Sequence, residues 1–252
     1  MSQLIDNLNT IESIKTDIKT ALENKGVDMT GISFPGYASK IGEISGGGGW
    51  DQKSFTEGVA KIINLDNSAS FVASNAFNGN GNIKTVNLPY ATSVGNSAFN
   101  NCSSLTNVNI PMCSYIGSTA FAYCNSLSQV NLTVCSYISN YAFQYCYLLS
   151  QVSIPMCNYI NIGTFRDCYQ LSQLTLPMCS GINRLAFNDC NSLSIITIGY
   201  SSICSLFGST VFTGTQITSS TGSIYVPASL VDAYKADKKW SYFSTQIFPI
   251  PE

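Results

Sequence analysis

Three columns of polar side chains recur every 22 residues, and they are where this chain could do chemistry. One is Asn87, Asn109, Asn131, Ser153, Thr175 and Thr197. A second is Thr85, Asn107, Gln129, Gln151 and Gln173, and a third is Tyr115, Tyr137 and Tyr159. Tyrosine supplies rigid contact area at low conformational cost, while amides and hydroxyls adapt their hydrogen bonds to a partner. Aromatic faces beside amides also suit neutral sugars. Tyr115, Tyr137, Tyr159, Asn87, Asn109, Asn131, Gln129 and Gln151 are therefore the candidate ligand or partner surface. The same columns also follow from stacking alone, because Asn side chains bond along a stack, and such a wall could equally face another subunit.

Catalytic chemistry is poorly served. The chain has no histidine, which removes imidazole-based acid/base work and every zinc site that needs imidazole. Asp51, Glu57 and Asp66 are scattered acids, and Arg166-Asp167 reads as a local ion pair of small value. Gly46-Gly47-Gly48-Gly49 lacks the Lys-Ser/Thr of a phosphate loop and reads as a linker. No Cys-x-x-Cys pair marks a metal site. The expectation is a protein without catalytic residues, metal or cofactor; a polysaccharide depolymerase would need paired carboxylates that the wall lacks. Only 10% of the 252 residues are charged and the net charge is −2, which favours neither nucleic acid nor anionic membrane. Between Asn67 and Asn183 the charged residues are Lys84, Arg166 and Asp167 alone. No apolar run is long enough to span a membrane, and the first residues do not read as a secretory signal.

The elements that position these columns are coils. Phe77, Phe99, Phe121, Phe143, Phe165 and Phe187 stand 22 apart, and nine cysteines from Cys102 to Cys190 stand 11 apart. A fixed period of this length marks a solenoid, each repeat stacked on the last. The cysteines belong to the repeat, so they read as buried, reduced packing residues rather than disulfides. Leu105, Val108 and Ile110 form an apolar strand row, repeated as Ile83/Val86/Leu88, Leu127/Val130/Leu132, Leu149/Val152/Ile154, Leu171/Leu174/Leu176 and Leu193/Ile196/Ile198. A second apolar row is Val94, Ile116, Ile138, Ile160 and Ile182. Residue alternation turns Tyr115, Tyr137 and Tyr159, each just before a buried Ile, outward. Some seven coils would make a body on the order of 30 Å long.

The ends differ in kind. Residues 1–45 form an expected helical anchoring or oligomerisation module, with Leu4, Leu8, Ile11, Ile14, Ile18 and Leu22 on one stripe. Residues 46–54 are the Gly-rich linker, 55–223 the solenoid and 224–252 a C-terminal cap. The cap is expected as a strand at Ile224–Val226, a helix near Ser229–Asp237 with Ser229 and Asp232 as capping pair, and an aromatic cover from Trp240 to Phe248. Covering the last coil protects its open strand edge.

The unit Ala98-Phe-x-x-Cys-x-x-Leu-x-x-Val-x-Ile-Pro111 resembles the BspA-type leucine-rich repeat, and Ile224-Tyr-Val-Pro-Ala-Ser-Leu-Val-Asp-Ala-Tyr-Lys235 is similar to that family's C-terminal unit. The resemblance implies an α/β repeat, a right-handed leucine-rich-repeat solenoid of 22-residue coils, with a binding or scaffold role. Residues 1–45 resemble the N-terminal module of structural proteins of tailed bacteriophages, including those of gut Bacteroides, which implies docking on a virion. The expectation is a non-enzymatic virion structural protein (fibre, decoration or adhesion module), located in the virion and made in the bacterial host cytoplasm. Its partners would be other virion proteins or copies of itself through the N-terminal helix, a homotrimer being compatible with the stripe, and a host surface glycan. The alternative is a bacterial cell-surface adhesin of the same repeat family.

Overall fold

Each coil carries two short strands joined by turns, because its apolar residues come in two clusters separated by turn-forming pairs such as Pro111-Met112 and Ser103-Ser104. The structure, a computed structural model, describes residues 62–64 and 71–251. The N-terminal stripe of Leu4, Leu8, Ile11, Ile14, Ile18 and Leu22 and the Gly-rich linker lie outside the described residues.

The first cluster gives the main strands: Ile62–Asn64, Thr85–Asn87, Asn107–Asn109, Gln129–Asn131, Gln151–Ser153, Gln173–Leu176, Ile195–Ile198 and Ser223–Val226. Where neighbours pair they are parallel and in constant register, Val86 against Val108 and Val130 against Val152. The main sheet is interrupted between Asn107–Asn109 and Gln129–Asn131, and again between Gln151–Ser153 and Gln173–Leu176. The second cluster gives a sheet that the sequence did not announce, of seven short strands: Phe71–Val72, Ser93–Val94, Tyr115–Ile116, Tyr137–Ile138, Tyr159–Ile160, Gly181–Asn183 and Ser205–Phe207. Its inward residues Val94, Ile116, Ile138, Ile160 and Ile182 are fully buried.

The α/β expectation is corrected here. Among the described residues the one α-helix, α1 (Val231–Ala236), lies in the cap, and the coils return through turns. In the return of one coil Thr119 and Tyr123 adopt φ of 51° and 61°, left-handed values that stop a helix. Backbone donors there alternate. Thr119, Phe121 and Tyr123 donate to Asn140, Ala142 and Gln144 of the next coil, while Ala120, Ala122 and Cys124 close turns on Gly117, Thr119 and Phe121. The return edge is thus hydrogen-bonded coil to coil without being a strand. Hydroxyls add a second stitch: Ser114, Ser136, Ser150, Ser180 and Ser194 each donate to a carbonyl one coil earlier.

The core is a set of columns. Phe77, Phe99, Phe121, Phe143, Phe165, Phe187 and Phe212 stack face to face, with ring centres 5.1 to 5.9 Å apart. Phe212 keeps its place although it stands 25 residues after Phe187, because the chain inserts three extra residues before it. All ten cysteines are buried free thiols, and the 11-residue spacing resolves into two columns with different roles. Cys102, Cys124, Cys146, Cys168 and Cys190 donate S–H to the carbonyls of Phe77, Phe99, Phe121, Phe143 and Phe165 on the preceding coil. Cys113, Cys135, Cys157 and Cys179 donate locally, to the carbonyl two residues on. Cys204 ends this second column, its sulfur 3.8 Å from that of Cys179.

The cap closes the last coil through Cys204. Its N–H donates to the Tyr234 hydroxyl at 2.8 Å and its carbonyl accepts from Trp240 Nε1 at 2.6 Å, both side chains being buried. Ser229 does not cap α1; it sits in a 3-10 turn, and the residue preceding α1 is Leu230, which makes no side-chain capping bond. The side chain that caps is Asp237, whose Oδ1 accepts from the N–H groups of Lys239 and Trp240 at the next 3-10 segment. Ile247–Pro249 then pairs parallel with Ser223–Val226, and the main sheet ends on it.

Candidate functional site

Along each main strand the middle residue points inward and its neighbours outward, so the columns become a wall. Val86 and Val130 are buried, while Asn107, Asn109, Gln129, Asn131, Gln151 and Ser153 are exposed. Asn109 Nδ2 donates to Asn87 Oδ1 at 2.6 Å, one rung of an amide ladder. Four successive coils of this wall form a groove of about 690 Å³, lined by Thr85, Asn87, Asn107, Val108, Asn109, Gln129, Val130, Asn131, Gln151, Val152 and Ser153. It runs across the interruption between Asn107–Asn109 and Gln129–Asn131, and Val108 and Val152 are half-exposed there.

Five of the eight candidate surface residues, Asn87, Asn109, Asn131, Gln129 and Gln151, meet in this groove. Tyr115, Tyr137 and Tyr159 do not. They belong to the sheet of short strands, away from the amide wall. Tyr115 and Tyr137 are exposed and stack at 5.5 Å with rings 2° from parallel. Tyr159 is half-buried and departs from the outward orientation expected of it. Its ring lies over Gly181, where a β-carbon would come within 2.4 Å of it, and it reaches Phe207 at 5.6 Å. The absence of a side chain at Gly181 is what lets this ring fold down.

No lining residue of the groove is ionisable. The groove can donate and accept hydrogen bonds through amides and hydroxyls, and it offers valine methyl groups on its floor, but it holds no nucleophile with a base beside it. The thiols are equally remote from chemistry. Burial pushes Cys102, Cys135 and Cys146 up to about 12 and Cys113 and Cys157 up to about 11, so the reactive thiolate is scarce at neutral pH. The sequence places Tyr123, Tyr145, Tyr147 and Tyr169 in the turns flanking Cys124, Cys146 and Cys168, but not among the candidate site residues; their stacking into one cluster depends on contacts between coils that spacing does not show.

Two strands per coil, each paired parallel with neighbouring coils, and columns of like side chains define a leucine-rich-repeat solenoid. The chain matches the BspA type leucine rich repeat region (6 copies) over residues 50–168 and 136–230, and it belongs to that family. Among solved structures it is similar to a leucine rich cell surface protein from Faecalibacterium prausnitzii, with 18% identity, 62% of this chain and 57% of that one covered, and a TM-score of 0.38. It is similar to a leucine-rich repeat protein from Bacteroides ovatus, with 17% identity, 66% and 63% covered, and a TM-score of 0.40. A leucine rich repeat protein of T. pallidum shows 21% identity, 58% and 67% covered, and a TM-score of 0.37. The chain thus spans less than two thirds of the length of the first two. No curated protein sequence matches it.

Proposed function

We propose that the chain is a non-enzymatic recognition module, displayed at a bacterial cell surface as an adhesin, that binds a neutral polysaccharide through the amide groove of its main sheet. The uncharged groove carries this reading. Its amides and hydroxyls match the donors and acceptors of sugar hydroxyls, its valines match sugar C–H faces, and it makes no electrostatic demand on the ligand. Membership of the BspA-type family supports display at a surface, since the resemblance is to a family with bacterial surface members. Tyr115 and Tyr137 offer a separate exposed strip on the other sheet for a second contact with the same partner. The test is retention of the intact chain on a panel of purified neutral and acidic surface polysaccharides, with reducing ends assayed in parallel. Saturable retention on a neutral polymer without release of reducing ends is the expected result. Retention only on acidic polymers, or cleavage, would defeat the proposal.

A second reading keeps the same wall on a phage particle. Its specific support is the likeness of residues 1–45, with the stripe Leu4, Leu8, Ile11, Ile14, Ile18 and Leu22, to the N-terminal module of tailed-phage structural proteins. In that reading the stripe docks on virion proteins or on its own copies as a homotrimer, and the groove meets a host surface glycan. Mass spectrometry of purified virions decides it: the chain is found among the structural proteins, or the reading is withdrawn.

A further inference from the structure

The return turns place a left-handed residue just before each position of the first cysteine column. These residues are Gly79, Asn101, Tyr123, Tyr145, Asp167, Asp189 and Gly214, with φ between 58° and 80°. Glycine, asparagine and aspartate are the residues that tolerate this conformation, and a bulky ring is not. Strain alone does not single out Tyr123 and Tyr145, because Thr119, Tyr141 and Leu185 hold similar angles on the same edge. Their assembly does. Tyr123 stacks on Tyr145 at 4.5 Å, Tyr145 meets Tyr147 edge-on at 6.0 Å, and Tyr147 stacks on Tyr169 at 5.0 Å. Tyr123 and Tyr169 are 42% and 38% exposed, so the cluster opens to solvent at both ends.

An independent observation falls on the same place. Among the described residues, three buried side-chain polar atoms lack a hydrogen-bond partner: Asn125 Oδ1, Arg166 Nε and Asp167 Oδ2. All three belong to this edge. Asn125 follows Tyr123 by two residues and stands one coil before Tyr147. Arg166 shares a coil with Tyr169, and its carbonyl accepts from the N–H of Tyr145. Arg166 and Asp167 face each other at 3.2 Å as an ion pair without hydrogen-bond geometry, and Asp167 Oδ1 accepts from the Tyr169 hydroxyl at 3.4 Å. They are the only charged residues between Thr85 and Asn183. Arg166 Nε and Asp167 Oδ2 offset each other as a pair, while Asn125 Oδ1 stays unpaired, so the polar groups beside the four tyrosines are incompletely satisfied.

From this geometry we infer a second binding site, for a short neutral oligosaccharide, formed by Tyr123, Tyr145, Tyr147, Tyr169, Arg166 and Asp167. A pyranose has an apolar C–H face for an aromatic platform and a rim of hydroxyls that can bond the exposed Tyr123 and Tyr169 and the part-exposed Arg166 side chain. The site spans three coils, on the order of 10 Å from first to last. Arg166 and Asp167 offset each other and Asp189 lies close by, so the site is net negative and disfavours a uronic acid or sialic acid. The site lies on the return turns, separate from the amide groove, and it does not depend on the groove being a binding surface.

The column itself supplies variants that keep the fold: Tyr123→Asn with Tyr145→Asn, matching Asn101, and Tyr147→Asn with Tyr169→Asn, matching Asn191 and Asn125. The probes are cello-, xylo-, manno- and malto-hexaose, titrated by calorimetry into the intact chain, its two tyrosine variants and a groove variant (Asn109→Ala with Gln129→Ala). At least one probe binds the wild type. Each tyrosine variant weakens that binding tenfold or more, with the melting temperature unchanged or raised, and the groove variant leaves a component of binding intact. The inference is overturned if none of the four probes binds, or if binding survives both tyrosine variants. Binding lost only in the groove variant also overturns it, while leaving the groove reading in place.

Discussion

At the scale of single residues, the cysteines show how the repeat spends a small apolar group with a weak donor. Each S–H of the first column turns to a phenylalanine carbonyl of the coil before, so the thiol fills volume and satisfies backbone at once. Burial holds these thiols in the protonated form, and that has a consequence for stability. Unfolded, a thiol titrates near 9; folded, Cys102, Cys135 and Cys146 titrate near 12. The folded state therefore binds more protons through this window, and stability falls as pH rises. The thiol contribution is fully present below about pH 9 and is lost progressively towards about pH 12. Thermal melts in a pH series should show this alkaline decline, and a Cys146→Ala variant should show less of it. A disulfide-exchange reagent at about pH 8 should label the native chain negligibly and the denatured chain fully. Fast labelling of several native thiols would mean the columns are not closed. Burial of these cysteines was legible from the 11-residue spacing; the split into two donor patterns was not, since it depends on which carbonyl each sulfur meets.

At the scale of elements, the phenylalanine column ties successive coils together and the cap closes the last of them. Phe143 is fully buried between Phe121 and Phe165, with ring centres at 5.4 and 5.7 Å. Phe143→Ala should cost about 3–5 kcal/mol in denaturant titration, from the lost transfer energy and the cavity left in mid-stack. A cost under about 1 kcal/mol would mean that the coils close over the gap and do not pack as a continuous column. In the cap, Tyr234→Phe removes the acceptor for the buried Cys204 N–H and should cost about 1–3 kcal/mol. The main strands were legible because Leu105, Val108 and Ile110 repeat a spaced apolar row. The second apolar row was legible as a buried column with Tyr115 and Tyr137 turned outward, but its pairing into a sheet was not, because segments as short as Tyr115-Ile116 carry no strand signal of their own. The α/β class came from the family's general form, and the left-handed angles at Thr119 and Tyr123 are the physical reason the return of that coil holds no helix. Ser229 misled in the same way: a capping residue type is a signal only where the following turn is α-helical.

At the scale of the whole molecule, the proposed recognition rests on an uncharged wall built by stacked coils. A neutral ligand bound by amides leaves no long-range charge to screen, so affinity should change less than about twofold when ionic strength rises from roughly 0.05 to 0.5 M. A steep salt dependence would point instead to an anionic partner. Five groove residues were legible in the sequence as columns, because a constant period forces like residues onto one face. Tyr159 was not, because its direction is set by the missing side chain at Gly181 one coil later. The most direct measurement is the affinity of the triple variant Asn109→Ala, Gln129→Ala, Gln151→Ala for the neutral polysaccharide that the wild type retains best, taken with its melting temperature. Three lost amide contacts at about 0.5–1.5 kcal/mol each predict binding weakened at least about tenfold. Exposed substitutions of this kind predict a melting shift of no more than about 2 °C. Undiminished affinity in a variant that melts like the wild type would contradict the account.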